Sequence, residues 1–127
     1  MDNLYGSIEG GVTKCFCAVG DDRFNIVDEF TYPTTTPNET IRKAIDYFKR
    51  FNGNLKAISI ASFGPVDINP SSKTYGYITS TPKDNWSDRA ILGPIKNALN
   101  IPCNFNQDVN ASAYGEYKYR NDINSLV

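Results

Sequence analysis

A chain of 127 residues is long enough for one domain with a real core, and 40% hydrophobic against 21% charged residues is an ordinary globular balance. A net charge of −1 with dispersed Lys and Arg excludes an electrostatic footprint for nucleic acid or an anionic membrane, and no apolar run approaches the roughly 18 residues that cross a bilayer. The absence of histidine removes Ser-His and Cys-His catalysis and most zinc sites, while three cysteines, an odd count, argue against a disulfide framework.

Leu4 to Glu9 and Lys14 to Gly20 read as strands joined by a glycine turn, Gly10-Gly11-Val12-Thr13. Such a turn brings backbone N–H groups to an anion, or is a plain hairpin turn; the segment alone supports both readings. Cys15 and Cys17, two apart on the second strand, share one face and are expected to be reduced and packed as small hydrophobes. Asp21-Asp22-Arg23 turns into a third strand, about Asn25 to Tyr32, so the three strands should form an antiparallel meander.

Thr36-Pro37-Asn38-Glu39 carries a helix start: a capping threonine, proline at the first position, and a glutamate three residues on that completes a capping box. Ile41, Ala44, Ile45, Phe48 and Phe51 follow at helical spacing until Asn52-Gly53-Asn54. Leu55 to Ser62 reads as a buried strand parallel to the first, running into Phe63-Gly64-Pro65 at the strand end where open α/β sheets bind ligands. Asp67 to Lys83 reads as an irregular excursion with a short hairpin around Tyr75-Gly76-Tyr77. A second helix is expected over Pro94 to Leu99, its start left open as far back as Ser87 by Gly93-Pro94. A fifth strand covers about Pro102 to Asn106 and a third helix about Val109 to Tyr119. This order matches one half of the ribonuclease-H-like (actin-like ATPase) architecture, an α/β domain with a mixed five-stranded sheet of order 3-2-1-4-5 and helices packed on it.

Asp108 stands where strand gives way to helix. A carboxylate there can take a proton from a substrate hydroxyl, or can cap the helix starting at Val109; taken alone, the residue fits both roles. Trp86 suits stacking on the flat face of a ligand, but a helix-packing role is favoured.

The segments Ile8-Glu-Gly-Gly-Val-Thr-Lys-Cys-Phe-Cys-Ala-Val-Gly20, Ser62-Phe-Gly-Pro-Val-Asp67, Tyr75-Gly-Tyr-Ile-Thr-Ser-Thr-Pro-Lys83 and Asp108-Val-Asn-Ala-Ser-Ala-Tyr-Gly-Glu116 occur in that order across nearly the whole chain. Together they resemble the N-terminal lobe of sugar kinases of the repressor, open-reading-frame and kinase (ROK) family, most closely its bacterial fructokinases. The resemblance implies ATP- and Mg2+-dependent phosphorylation of the 6-hydroxyl of D-fructose, with Asp108 as the catalytic base. It also implies a first phosphate loop of Gly10, Gly11, Thr13 and Lys14. Ser62, Gly64, Pro65, Thr81, Lys83 and Gln107 would serve the sugar, and Glu9 would lie near magnesium. The family usually has glycine at the position of Val12, and a β-branched residue tolerates positive φ poorly.

The resemblance further implies that residues 1–127 form the N-terminal lobe of a two-lobe kinase, inactive alone. The other lobe, absent from this chain, would supply most of the adenine pocket and a zinc site, and the intact protein would be a homodimer. With no basic flank or apolar core at the N-terminus, cytoplasm is the expected compartment. Alternatives are another hexose or amino-sugar kinase and a non-catalytic sugar-binding or regulatory protein. A DNA-binding repressor fits poorly, since only three residues precede Leu4.

Overall fold

A computed structural model of the chain describes residues 3–106. The expected helix over Val109 to Tyr119, with Gln107 and Asp108 before it, lies outside the described residues. Strands β1 (Leu4–Gly10), β2 (Lys14–Asp21) and β3 (Ile26–Pro33) form the expected antiparallel meander. Helix α1 (Pro37–Lys49) then crosses over to β4 (Leu55–Ser62), which pairs parallel to β1. After the excursion come β5 (Tyr77–Ile78), β6 (Arg89–Ala90), α2 (Leu92–Leu99) and β7 (Cys103–Asn106). The main sheet runs β3-β2-β1-β4-β7, with β7 parallel to β4; β5 and β6 form a separate small sheet. Discounting that small pair, this is the 3-2-1-4-5 order read from the sequence.

The two-residue alternation of the strands explains where the core sits. Ile8, Cys17, Ile58 and Ile60 lie in register on one face of adjacent strands. They join Ala44, Tyr47 and Phe48 of α1 and Ile95 and Leu99 of α2 in one buried cluster. Phe48, Ile58 and Ile60 are essentially inaccessible, and each such side chain contributes roughly 1.5–3 kcal/mol of burial free energy. Gly6 is needed here: a Cβ at that position would stand 2.6 Å from Cε1 of Phe48. Cys15 and Cys17 are buried free thiols on this face, as expected.

Two local expectations are corrected, the hairpin and the full capping box, and the open start of the second helix is settled. No hairpin forms at Tyr75-Gly76-Tyr77. Instead β5 pairs with β6, Val66 bridges to Ile78, and Gly76 takes a positive φ of 85° where a Cβ would meet Leu92. Helix α2 begins at Leu92, so Gly93 and Pro94 fall within its first turn, where proline's missing N–H costs nothing. It ends at Leu99, capped by Asn100, a left-handed residue (φ 54°) whose N–H returns to the Lys96 carbonyl. At α1 the capping box is half made. The Thr36 hydroxyl accepts from the Glu39 N–H at 3.3 Å, but the Glu39 carboxylate turns to the Thr35 hydroxyl (3.0 Å) and to Lys43 (3.4 Å).

Candidate active site

β1 and β4 run parallel and in register, Glu9 beside Ala61 and Gly10 beside Ser62, so their C-terminal ends arrive together. The β1–β2 turn and the Ser62-Phe63-Gly64-Pro65 segment therefore leave the sheet side by side. A backbone bond ties them: the Phe63 N–H donates to the Gly10 carbonyl at 2.7 Å. β7 ends at the same edge, with Asn106 beside Ala61. Asn106 is the last described residue; Gln107 and Asp108 follow it in the sequence and lie outside the described residues.

The turn is closed by the Gly11 N–H donating to the Lys14 carbonyl at 3.0 Å. A Cβ on Gly11 would stand 2.8 Å from that carbonyl oxygen, so glycine is required by close approach. Val12 lies at the exposed tip and is not among the positive-φ residues. The concern over a β-branched residue at this position is thereby removed. Among the described residues, the Val12 and Thr13 N–H groups have no hydrogen-bond partner. Two unpaired donors beside a lysine are a chemically sensible receptor for anionic oxygens.

Thr34, which the sequence reading passed over, braces this turn. Its N–H donates to the Thr13 carbonyl at 3.0 Å and its hydroxyl to the Gly11 carbonyl at 2.8 Å. The Cys15 sulfur lies 3.2 Å from the same hydroxyl. Burial pushes the Cys15 thiol up.

Thr81 and Lys83 belong to a segment held by its own hydroxyls. The Thr81 N–H donates to Ser87 Oγ at 3.0 Å and the Lys83 N–H to Thr81 Oγ1 at 3.3 Å. Trp86 anchors the segment from below. It is 3% exposed, meets Phe63 edge-on at 5.3 Å between ring centroids, and donates from Nε1 to the Thr35 carbonyl at 2.9 Å. No face of the indole is left for a sugar, so its role is packing. An apolar cavity of about 30 Å³, lined by Ile8, Cys15, Tyr32, Phe63 and Trp86 among others, lies under the turn and is far too small for a hexose.

Ser62 is buried, its hydroxyl donating to the Phe63 carbonyl at 2.9 Å. Gly64 and Pro65 are joined by a cis peptide bond, and the Pro65 carbonyl accepts from the Thr79 N–H at 2.9 Å. Glu9 is half-buried one residue before the turn, and burial pushes its carboxyl up. The ion pairs among the described residues join Glu39 to Lys43 and Asp28 to Arg50, leaving Glu9 without a cationic side chain. No group of three potential metal-ligating side chains occurs among the described residues. A lone, partly desolvated carboxylate suits magnesium, which keeps most of its waters and takes few protein ligands.

The ROK family model matches residues 5–127. The chain belongs to the ROK family. It is 53% identical to a fructokinase of Streptococcus mutans serotype c (strain ATCC 700610 / UA159) and 56% identical to one of Lactococcus lactis subsp. cremoris. Both alignments run over all 127 residues but cover 43% of each relative. The chain thus spans less than half the length of these curated relatives. Among solved structures, a ROK family glucokinase from Streptomyces griseus, determined with glucose and AMPPNP, superposes with a TM-score of 0.68. That match is 19% identical over 86% of this chain and 34% of the other.

Proposed function

We propose that this chain is the N-terminal lobe of a two-lobe kinase that transfers the γ-phosphoryl of ATP to the 6-hydroxyl of D-fructose. The observation that carries the reading is the convergence of the Gly10–Lys14 turn with the Ser62–Pro65 segment at the ends of two parallel strands. Fructokinases at 53% and 56% identity over the whole chain support the choice of substrate.

In this reading Gly10, Gly11, Thr13 and Lys14 receive nucleotide phosphate oxygens. Ser62, Gly64, Pro65, Thr81, Lys83 and Gln107 meet the sugar hydroxyls. Asp108 follows Asn106 by two positions in the sequence. Its carboxylate accepts or orients the proton of the attacking hydroxyl as the phosphoryl group arrives, a step that depends on positioning and electrostatics. Glu9 would help hold magnesium, which when bound neutralises phosphate charge. Lys14, at the end of the turn, adds positive charge to it. Cytoplasmic location and a homodimer of the two-lobe protein complete the proposal.

The test is a coupled assay of the full-length protein with ATP and a panel of fructose, glucose, mannose and N-acetylmannosamine. Fructose should show the highest kcat/KM. Failure to phosphorylate any hexose, or a tenfold preference for another one, would overturn the proposal. Glucose belongs in the panel because a glucokinase of Streptomyces coelicolor is also 27% identical over 115 residues.

A further inference from the structure

We propose that Thr34 is a positioning residue for nucleotide binding: its hydroxyl sets the orientation of the turn peptide whose N–H belongs to Val12. The inference rests on the reading of Gly10–Lys14 as a phosphate turn.

A trans peptide unit is planar, with its C=O and N–H pointing in opposite directions. The Gly11 carbonyl and the Val12 N–H are two ends of one such unit. By donating to the Gly11 carbonyl at 2.8 Å, the Thr34 hydroxyl draws that oxygen toward the β3–α1 connection. The Val12 N–H is thereby turned to the other side, away from Thr34. The Thr34 N–H holds the Thr13 carbonyl at 3.0 Å in the same way, and so fixes the far side of the turn. One residue clamps both carbonyls while the Val12 and Thr13 N–H groups stay unpaired among the described residues.

The hydroxyl is itself held. Thr34 has one hydroxyl proton and gives it to Gly11, so the Cys15 thiol 3.2 Å away must be the donor in their contact. Thr34 is 8% exposed and touches no expected sugar residue through any of these bonds. Its effect should therefore fall on nucleotide and leave the sugar alone.

Thr34→Val keeps the shape and the backbone N–H but removes the hydroxyl, freeing the Gly11 carbonyl to rotate. Thr34→Ser restores the donor, and Thr34→Ala stands in should the valine variant not fold. Calorimetric titration of the full-length protein with AMPPNP and magnesium, and separately with fructose, reads the two sites independently of turnover. AMPPNP affinity should fall roughly five- to tenfold in Thr34→Val, the loss of one oriented hydrogen bond. Fructose affinity should stay within twofold, and Thr34→Ser should bind both as the unsubstituted protein does. Equal AMPPNP affinity in Thr34→Val, or parallel loss of nucleotide and fructose affinity, overturns the inference alone. Absence of AMPPNP binding in the unsubstituted protein overturns the phosphate-turn reading together with it.

Discussion

The indole N–H of Trp86 reaches the carbonyl of Thr35 at 2.9 Å, joining positions 51 residues apart in the chain. This bond fastens the segment carrying Thr81 and Lys83 to the connection between β3 and α1. Thr34, one residue earlier, fastens that connection to the β1–β2 turn. The threonine run at 34–36 is therefore a junction. Its first member braces the turn, its second receives Trp86, and its third caps α1.

Removing the indole donor tests the junction. Trp86→Phe keeps an aromatic ring against Phe63 but leaves the Thr35 carbonyl without this partner, a loss of about 1–3 kcal/mol. Trp86→Ala also opens a cavity and should cost about 3–5 kcal/mol. Urea unfolding curves measure both. Equal stability of the alanine variant and the parent would show that Trp86 is not part of the core.

Gly11 tolerates no side chain without movement of backbone, because its Cβ would fall 2.8 Å from the Lys14 carbonyl oxygen. Gly11→Ala should destabilise the fold by about 1–3 kcal/mol through strain and raise the KM for ATP in the full-length protein. Gly53, by contrast, has open space around its Cβ position, so Gly53→Ala is the matched control. Comparable effects of the two substitutions on KM would contradict the close-approach argument.

Asp108→Asn in the full-length protein should keep fructose binding and lower kcat by orders of magnitude, since amide oxygen is a poor proton acceptor. Steady-state kinetics with a parallel fructose titration separate the two effects. Turnover near that of the parent would remove Asp108 from the role of base.

The buried thiols make stability fall in alkali. Burial pushes Cys17 well above its ordinary value, with the neighbouring Cys15 thiol adding to the effect, and burial raises Cys15 as well. In the unfolded chain these thiols ionise near pH 9, while the folded state keeps them protonated. Above that pH the folded state binds more protons than the unfolded state, so stability declines as pH rises, and it is fully present below pH 9. Melting temperatures between pH 7 and 11 should drop more steeply for the parent than for Cys17→Ala; parallel curves would contradict the assignment. The same burial predicts that alkylating reagents modify half-buried Cys103 ahead of Cys15 and Cys17 in the native protein, read by peptide mass spectrometry.

Much of this was legible in the chain. The α1 start at Thr36-Pro37, the strand alternation of Leu55–Ser62 and the turn at Gly10-Gly11 are local signals, set by φ preferences, capping and two-residue periodicity. The order of these elements then constrains the sheet, because short links make antiparallel neighbours and a helical crossover makes a parallel one. The turn at Gly10–Lys14 and the Ser62–Pro65 segment are separate pieces of sequence, and the parallel pairing of β1 with β4 brings them side by side.

Contacts between distant residues decided the rest. Whether Val12 needs a positive φ depends on how the turn is braced, and the brace comes from Thr34, 22 positions away. The partner of β5 is β6, since Gly76 has to clear Leu92 and Ile78 has to enter the core. Trp86 lies inward because Phe63 and the Thr35 carbonyl together satisfy its ring and its N–H. A residue's type sets which bonds it is able to make; which of them it makes depends on what the folded chain brings within about 3 Å.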